Sequence, residues 1–252
     1  MRRPLIVGNW KMYKKPDQAV ELARALIPAV AEMGGERDVV ICPPFVCLQP
    51  VFQLLGGTSI ALGAQNMHWE DEGAYTGEIS APMILTCGCT YVILGHSERR
   101  QHFGETNATL NCKVAAALKS GLLPIICVGE SLEQRRAGRV EEVVLGQVEA
   151  ALQNVVAKDG PRLALAYEPI WAIGTGTAST PDQAEEVHGL IRDFLRRRFD
   201  GKTAEQIRLL YGGSVKPENA ADFFVRTNID GGLIGGASMQ AETFLAIAKA
   251  GG

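Results

Sequence analysis

No stretch of about 18 apolar residues occurs in this 252-residue chain, so nothing in it reads as a membrane span. The N-terminal segment does not read as a secretory leader either. After Arg2-Arg3-Pro4, the apolar run Leu5-Ile6-Val7 gives way to Gly8-Asn9, with no plausible cleavage site. A cytoplasmic chain is the expectation. A large charge of one sign is also absent: 25 Lys and Arg against 28 Asp and Glu leave a net charge of −3. That excludes a general attraction to nucleic acid or anionic membranes, so any anionic ligand must be held by local chemistry. No linker, low-complexity tract or break in composition appears, which predicts one domain over residues 1–252. The six cysteines, at 42, 47, 87, 89, 112 and 127, lack metal or redox spacing, since Cys87-Gly88-Cys89 has one intervening residue where such motifs have two. Reduced core thiols are expected, with no metal site. Nucleotide fingerprints fail as well. Gly201-Lys202-Thr203 has Arg196 at the glycine position of a phosphate-binding loop, and Gly174-x-Gly176 has Ser179 where a third glycine belongs.

What the chain does have is a rhythm: a short apolar run, a loop, then an amphipathic helix. The runs are Leu5–Val7, Val39–Cys42, Ser59–Leu62, Tyr91–Leu94, Leu123–Val128, Leu163–Tyr167, Arg208–Tyr211 and Gly232–Ile234. Several are apolar throughout, as strands buried on both faces are. Pro16 opens the first helix, with Val20, Ala23, Ile27 and Val30 on its apolar face and Gly34-Gly35 at its end. Ser131–Gln134 and Thr180–Gln183 both fit capping boxes, and residues 140–156 read as helix. Eight such units in this length favour a closed α/β barrel, (β/α)8, although rhythm alone leaves an open sheet possible. In a barrel, reactive residues sit just after the strands, at their C-terminal ends.

The residues at those ends are unusual. Asn9 and Lys11 follow the first run and share strand parity, so a continued strand would point both the same way. Lys11 is either a solvated charge or the holder of a substrate anion, with Asn9 as a hydrogen-bond donor. His96 leaves the fourth run at a helix start in Gly95-His96-Ser97-Glu98-Arg99-Arg100. A helix N-terminus disfavours the charged ring, so a neutral imidazole there can donate a hydrogen bond. His68, His102 and His188 read as structural. Glu168 follows the sixth run, and an acid there is costly unless partnered or used. Beyond it, Pro169-Ile170-Trp171-Ala172-Ile173-Gly174-Thr175-Gly176 joins an apolar body to glycines, the pattern of a lid; an ordinary surface loop is the other reading. The last two runs end in Gly212-Gly213-Ser214 and Gly235-Gly236-Ala237. One such pair is turn chemistry, but two in these places make a phosphate site, because glycines let backbone N–H groups approach an oxyanion.

Taken in order, Gly8 through Met12, Gly95 through Arg100, Cys127 through Glu130, Tyr167 through Gly176, Tyr211 through Val215 and Gly232 through Ser238 resemble the triosephosphate isomerase family along nearly the whole chain. That resemblance implies an isomerase of small phosphorylated trioses that uses neither cofactor nor metal. It assigns Glu168 as base and His96 as the neutral group that polarises the carbonyl and moves protons between oxygens. Lys11 and Asn9 would stabilise developing negative charge, and Glu98 would support Lys11. Phosphate would be held by N–H groups around Gly174, Ser214, Gly235 and Gly236. It also implies a homodimer in which the turn Gly73–Glu78, with Thr76 at its tip and Tyr75 where phenylalanine is common, plugs a pocket beside the partner's site. At the lid's far end Thr177-Ala178-Ser179 stands where the family usually has Lys-Thr-Ala, so altered lid kinetics are expected. The competing readings are a Schiff-base aldolase acting through Lys11 and an inactive phosphate-binding barrel.

Overall fold

The computed structural model describes residues 2–173 and 179–250. Among these, each apolar run becomes a strand: β1 (Leu5–Asn9), β2 (Asp38–Cys42), β3 (Ile60–Ala64), β4 (Tyr91–Leu94), β5 (Leu123–Val128), β6 (Ala164–Tyr167), β7 (Arg208–Tyr211) and β8 (Gly231–Ile234). Each pairs in parallel with the next, and β1 pairs with β8 from Leu5↔Gly231 to Gly8↔Ile234. The sheet is therefore a closed barrel in sequence order, which removes the open-sheet alternative. Five strands differ from their runs: β2, β6 and β8 by one residue at their start, β1 and β3 by more. β1 continues through Gly8 and Asn9 because both pair with β2, opposite Ile41 and Cys42. β3 lies further along the chain than expected because Gly63 and Ala64 pair with Tyr91 and Val92 of β4.

The uninterrupted apolar runs follow from burial on two faces. Leu5, Val7, Val40, Cys42, Ile93, Ile125, Cys127, Ala164 and Ala166 fill the barrel interior. Their neighbours Ile6, Val39, Ile41, Val92, Leu94, Ile126 and Leu165 pack outward with the surrounding helices. Period-2 alternation thus divides one apolar run between two cores.

The helix Pro16–Glu32 buries Ala19, Leu22, Ala23, Leu26 and Val30. Its inner stripe is rotated from the expected one, leaving Val20 and Ile27 half-buried at the flank. Both capping boxes form: Ser131 and Thr180 accept from the N–H groups of Gln134 and Gln183, whose side chains accept in return. The helix expected over 140–156 spans only Val140–Ala151. It stops because Asn111, on the adjacent helix Asn107–Ser120, donates to the Ala151 carbonyl at 3.1 Å and accepts from Asn154 at 2.9 Å. That tertiary cap replaces another helical turn. All six cysteines are free; Cys42, Cys47, Cys89 and Cys127 are core thiols as expected, but Cys87 is half-buried and Cys112 exposed. Among the described residues, no helix is long and apolar enough to cross a membrane.

Candidate active site

At the C-terminal end of the barrel is a cavity of about 490 Å³, lined by Asn9, Lys11, His96, Glu168, Ser214, Gly235 and Gly236. The fold thus gathers residues from strand ends spread along most of the chain. Gly174, Thr175 and Gly176 of the expected lid and phosphate site lie outside the described residues, as do Thr177 and Ala178.

Asn9 and Lys11 converge, though not by strand parity. β1 stops at Asn9, Trp10 is buried, and Lys11 takes the left-handed φ of +51°. Non-glycine residues rarely adopt that conformation, so surrounding bonds must hold it. Asn9 Oδ1 accepts the Lys11 N–H at 3.0 Å, and Gln65 Nε2 donates to the carbonyls of Lys11 and Cys42, both at 2.8 Å. With Oδ1 engaged, the Asn9 amide has its Nδ2 donors available for a ligand. Lys11 Nζ pairs with Glu98 Oε1 at 2.6 Å, a link that sets the ammonium beside the cavity.

His96 caps the helix Ser97–His102, and its Nδ1 accepts the Glu98 N–H at 3.2 Å. A ring that accepts at Nδ1 carries its proton on Nε2, and Nε2 lies 2.9 Å from Glu168 Oε1. The network therefore assigns a neutral ring donating to a carboxylate. The other carboxylate oxygen accepts the Ser97 N–H at 2.9 Å. Burial disfavours a charged His96, but the facing Glu168 carboxylate and then Glu98 lift its pKa above the ordinary value. Burial pushes the Glu168 pKa up, yet His96, the Ser97 amide and Lys11 together hold it below the usual carboxylate value. It is an ionised carboxylate, only 2% exposed. The Cys127 thiol beneath is driven well up by burial and by that charge, so it stays protonated.

Two glycines make room for Glu168. A Cβ at Gly129 would lie 1.8 Å from the Glu168 carbonyl oxygen, and one at Gly212 would lie 2.9 Å from Glu168 Cγ. The first part of the expected lid is anchored next door. Ile170–Ala172 forms a short 3-10 turn, Trp171 Nε1 donates to Glu130 Oε1 at 2.8 Å, and Ile173 borders the cavity. Glu130 is fully buried and also accepts from Tyr167 Oη and Arg135, each at 3.1 Å. No role was expected for Glu130. The signal was nevertheless there, because Glu130 follows β5 as Glu168 follows β6: a costly acid beyond an apolar strand. Gln65 gave no such signal, and Gly129 and Gly212, noted in the sequence for other reasons, gave none of their contacts with Glu168, which arise only across the fold.

The three remaining histidines lie outside this cavity. His68 Nδ1 accepts the Glu70 N–H and its ring stacks on Trp69. His102 ends a short helix, and His188 is buried beside Tyr167. Beside Lys11 and His96 a second hollow, of about 200 Å³, is bounded by Met12, Phe45, Gln65, Glu98 and Phe103. Tyr75 and Thr76 are exposed on their turn, the Tyr75 ring lying 4.4 Å from that of His68.

A closed parallel barrel with a buried carboxylate, an imidazole and an ammonium around one cavity at its C-terminal end is laid out as an acid–base enzyme. Comparison with known proteins narrows that class. The sequence model of the family described as triosephosphate isomerase matches residues 4–251. The triosephosphate isomerase of Carboxydothermus hydrogenoformans is 52% identical over 249 residues, 99% of each chain. That of Acetivibrio thermocellus is 52% identical over 248 residues, 98% of each. A crystal structure of triosephosphate isomerase from Bartonella henselae superposes with a TM-score of 0.88 at 41% identity, covering 98% of both chains. The chain belongs to the triosephosphate isomerase family and is an isomerase.

Proposed function

We propose that this chain interconverts dihydroxyacetone phosphate and D-glyceraldehyde 3-phosphate, with Glu168 as the proton-transferring base. The observation that carries this reading is the Glu168–His96 pair: an ionised carboxylate and an Nε2–H donor, 2.9 Å apart, facing one cavity. A substrate carbonyl oxygen takes the His96 Nε2–H, and the freed carboxylate removes a proton from the adjacent carbon. The electron pair moves into the new C=C bond and the carbonyl oxygen becomes an enediolate oxyanion, stabilised by His96, Lys11 and Asn9. His96 then passes a proton between the two oxygens, and Glu168 returns its proton to the neighbouring carbon. Atoms and charge balance with no redox step, so a positioned base and donors suffice without a cofactor. Glu98 acts as the partner that orients Lys11. The substrate phosphate sits at Ser214, Gly235 and Gly236, with Gly174 contributing from the lid Pro169–Gly176.

The chain is one catalytic domain and works as a homodimer in the cytoplasm. Support for the dimer comes from the exposed apolar residues Met12 (94%), Val46 (72%) and Phe103 (67%), excessive for open surface. The hollow between Met12 and Phe103 receives the partner's Thr76 turn, which brings the second copy against Lys11. Six free thiols suit a reducing compartment. The Schiff-base alternative is disfavoured because a Lys11 ammonium ion-paired with Glu98 is not the neutral amine that attack on a carbonyl requires.

The test is a coupled assay of triose phosphate interconversion with Glu168→Asp beside the wild type. Withdrawing the carboxylate by one methylene, a shift of about 1 Å, is expected to lower kcat on the order of a hundredfold. Absence of turnover in the wild type, or full turnover in the variant, would refute the assignment.

A further inference from the structure

Glu168 is held from beneath by the segment that follows β5. Its N–H donates to the Val128 carbonyl at 2.7 Å, and the Ile170 N–H donates to the Glu130 carbonyl at 3.1 Å. Gly129, between those acceptors, touches the Glu168 peptide so closely that no side chain fits there. In a strand, successive residues present their N–H and C=O to opposite sides, so with Val128 and Glu130 facing the Glu168–Ile170 segment, the N–H and C=O of Gly129 face away from it. On that side the neighbouring strand has already ended, since the last β4 residue, Leu94, lies opposite Ile126. Gly129 would therefore have two unpaired backbone groups.

Gln147, on the helix Val140–Ala151, supplies the missing partner. Its Oε1 accepts the Gly129 N–H at 2.8 Å and its Nε2 donates to the Gly129 carbonyl at 3.0 Å. The side-chain amide thus takes the place of the missing strand with two bonds, one to each of the peptides that flank the Gly129 Cα, which together fix the placement of that residue.

We infer that Gln147 is a positioning residue for the reaction: through Gly129 it sets the backbone on which the Glu168 base and the Glu130 anchor of Trp171 are mounted. The inference rests on the proposed role of Glu168. Gln147 has no place in the cavity, so its action is on geometry rather than on binding.

The experiment compares Gln147→Met, which deletes both bonds at similar volume, with Gln147→Glu, which keeps the acceptor but sets a carboxylate against the Gly129 carbonyl. Because about 1 Å of misplacement costs on the order of a hundredfold, Gln147→Met should lower kcat by about tenfold or more. Inhibition by inorganic phosphate and KM should stay within about twofold, since the phosphate side is untouched. The Gln147→Glu defect should shrink as pH falls, because a protonated carboxyl can donate to the carbonyl and accept from the N–H as the amide does. Loss should also be less than multiplicative when Gln147→Met is combined with Glu168→Asp, in which placement of the base is already spoiled. A merely structural glutamine would lower Tm and leave kcat per folded molecule unchanged; that result, or a pH-independent Gln147→Glu defect, overturns the inference. Failure of the underlying reading is distinguishable. Full activity in Glu168→Asp would remove Glu168 as base, whereas a crippled Glu168→Asp beside an unimpaired Gln147→Met would overturn only the role of Gln147.

Discussion

Gly212 lies just past β7, and its missing side chain leaves the space that Glu168 occupies. An alanine Cβ there would stand 2.9 Å from Glu168 Cγ and 3.2 Å from the Tyr167 carbonyl oxygen. Carbon atoms rest at about 3.5–4.0 Å, so one of the two must retreat by roughly 0.5–1 Å. The new methyl is bonded to a backbone whose N–H donates to the Tyr167 carbonyl at 2.8 Å, so the Glu168 side chain gives way. A shift of about 1 Å at a reacting group costs on the order of a hundredfold, or roughly 2.7 kcal/mol in the barrier. Gly212→Ala should therefore lower kcat by about tenfold to a hundredfold. The Gly212 backbone is not left-handed, so the substitution adds no conformational strain and the barrel should fold. Its N–H already serves Tyr167, so competitive inhibition by inorganic phosphate should be unaffected. Gly189→Ala is the control: it lies within the helix Pro181–Arg198, away from the cavity, and its Cβ would meet only Asn228 Nδ2, at 3.9 Å. Steady-state kinetics and circular dichroism on both variants decide the matter. A folded Gly212→Ala with kcat within about threefold of the wild type would refute the claim that this contact holds the base.

His188 makes a second prediction, about pH. Fully buried, its pKa falls from 6.5 to about 4, through desolvation, although the Asn228 carbonyl opposes that change and Arg192 adds to it. The folded value lies below the unfolded one, so the unfolded chain binds the proton first, and stability present above pH 6.5 is lost as pH falls toward 4. At about 1.4 kcal/mol per pH unit the loss is on the order of 3 kcal/mol. Urea unfolding at fixed protein concentration should show a flatter profile for His188→Gln over that window; parallel profiles would exclude His188 as a source of the acid lability. A third prediction concerns assembly. Thr76→Arg, a charge on the turn that enters the partner's hollow, should move the sedimenting species from two chains to one, and an unchanged two-chain species would place the interface elsewhere.

Much of this protein was legible before folding. Runs such as Ile125-Ile126-Cys127-Val128, apolar on both faces, meant strands covered on both sides, and eight of them with helices between favoured a barrel over an open sheet without deciding between them. The polar residues just past those runs marked the site, because an acid, an imidazole or a lysine beside a buried strand end is costly without a use. Capping boxes at Ser131 and Thr180 were readable too, since their bonds span only three residues. Glu130 showed the same pattern as Glu168 and lacked only an interpretation. What the linear order could not express was which helix face turns inward in Pro16–Glu32, where the helix from Val140 stops, and how Lys11 is held. The last two outcomes depend on Asn111 and Gln65, and the backbone beside Glu168 depends on Gln147, polar residues unremarkable in sequence whose partners lie 18 to 54 residues away. Local periodicity and short-range hydrogen bonds determined the elements, while the pairing of β1 with β8, from opposite ends of the chain, closed the barrel. Only the tertiary structure, by bringing distant peptides within hydrogen-bond reach, decided the exact mounting of the groups around the cavity.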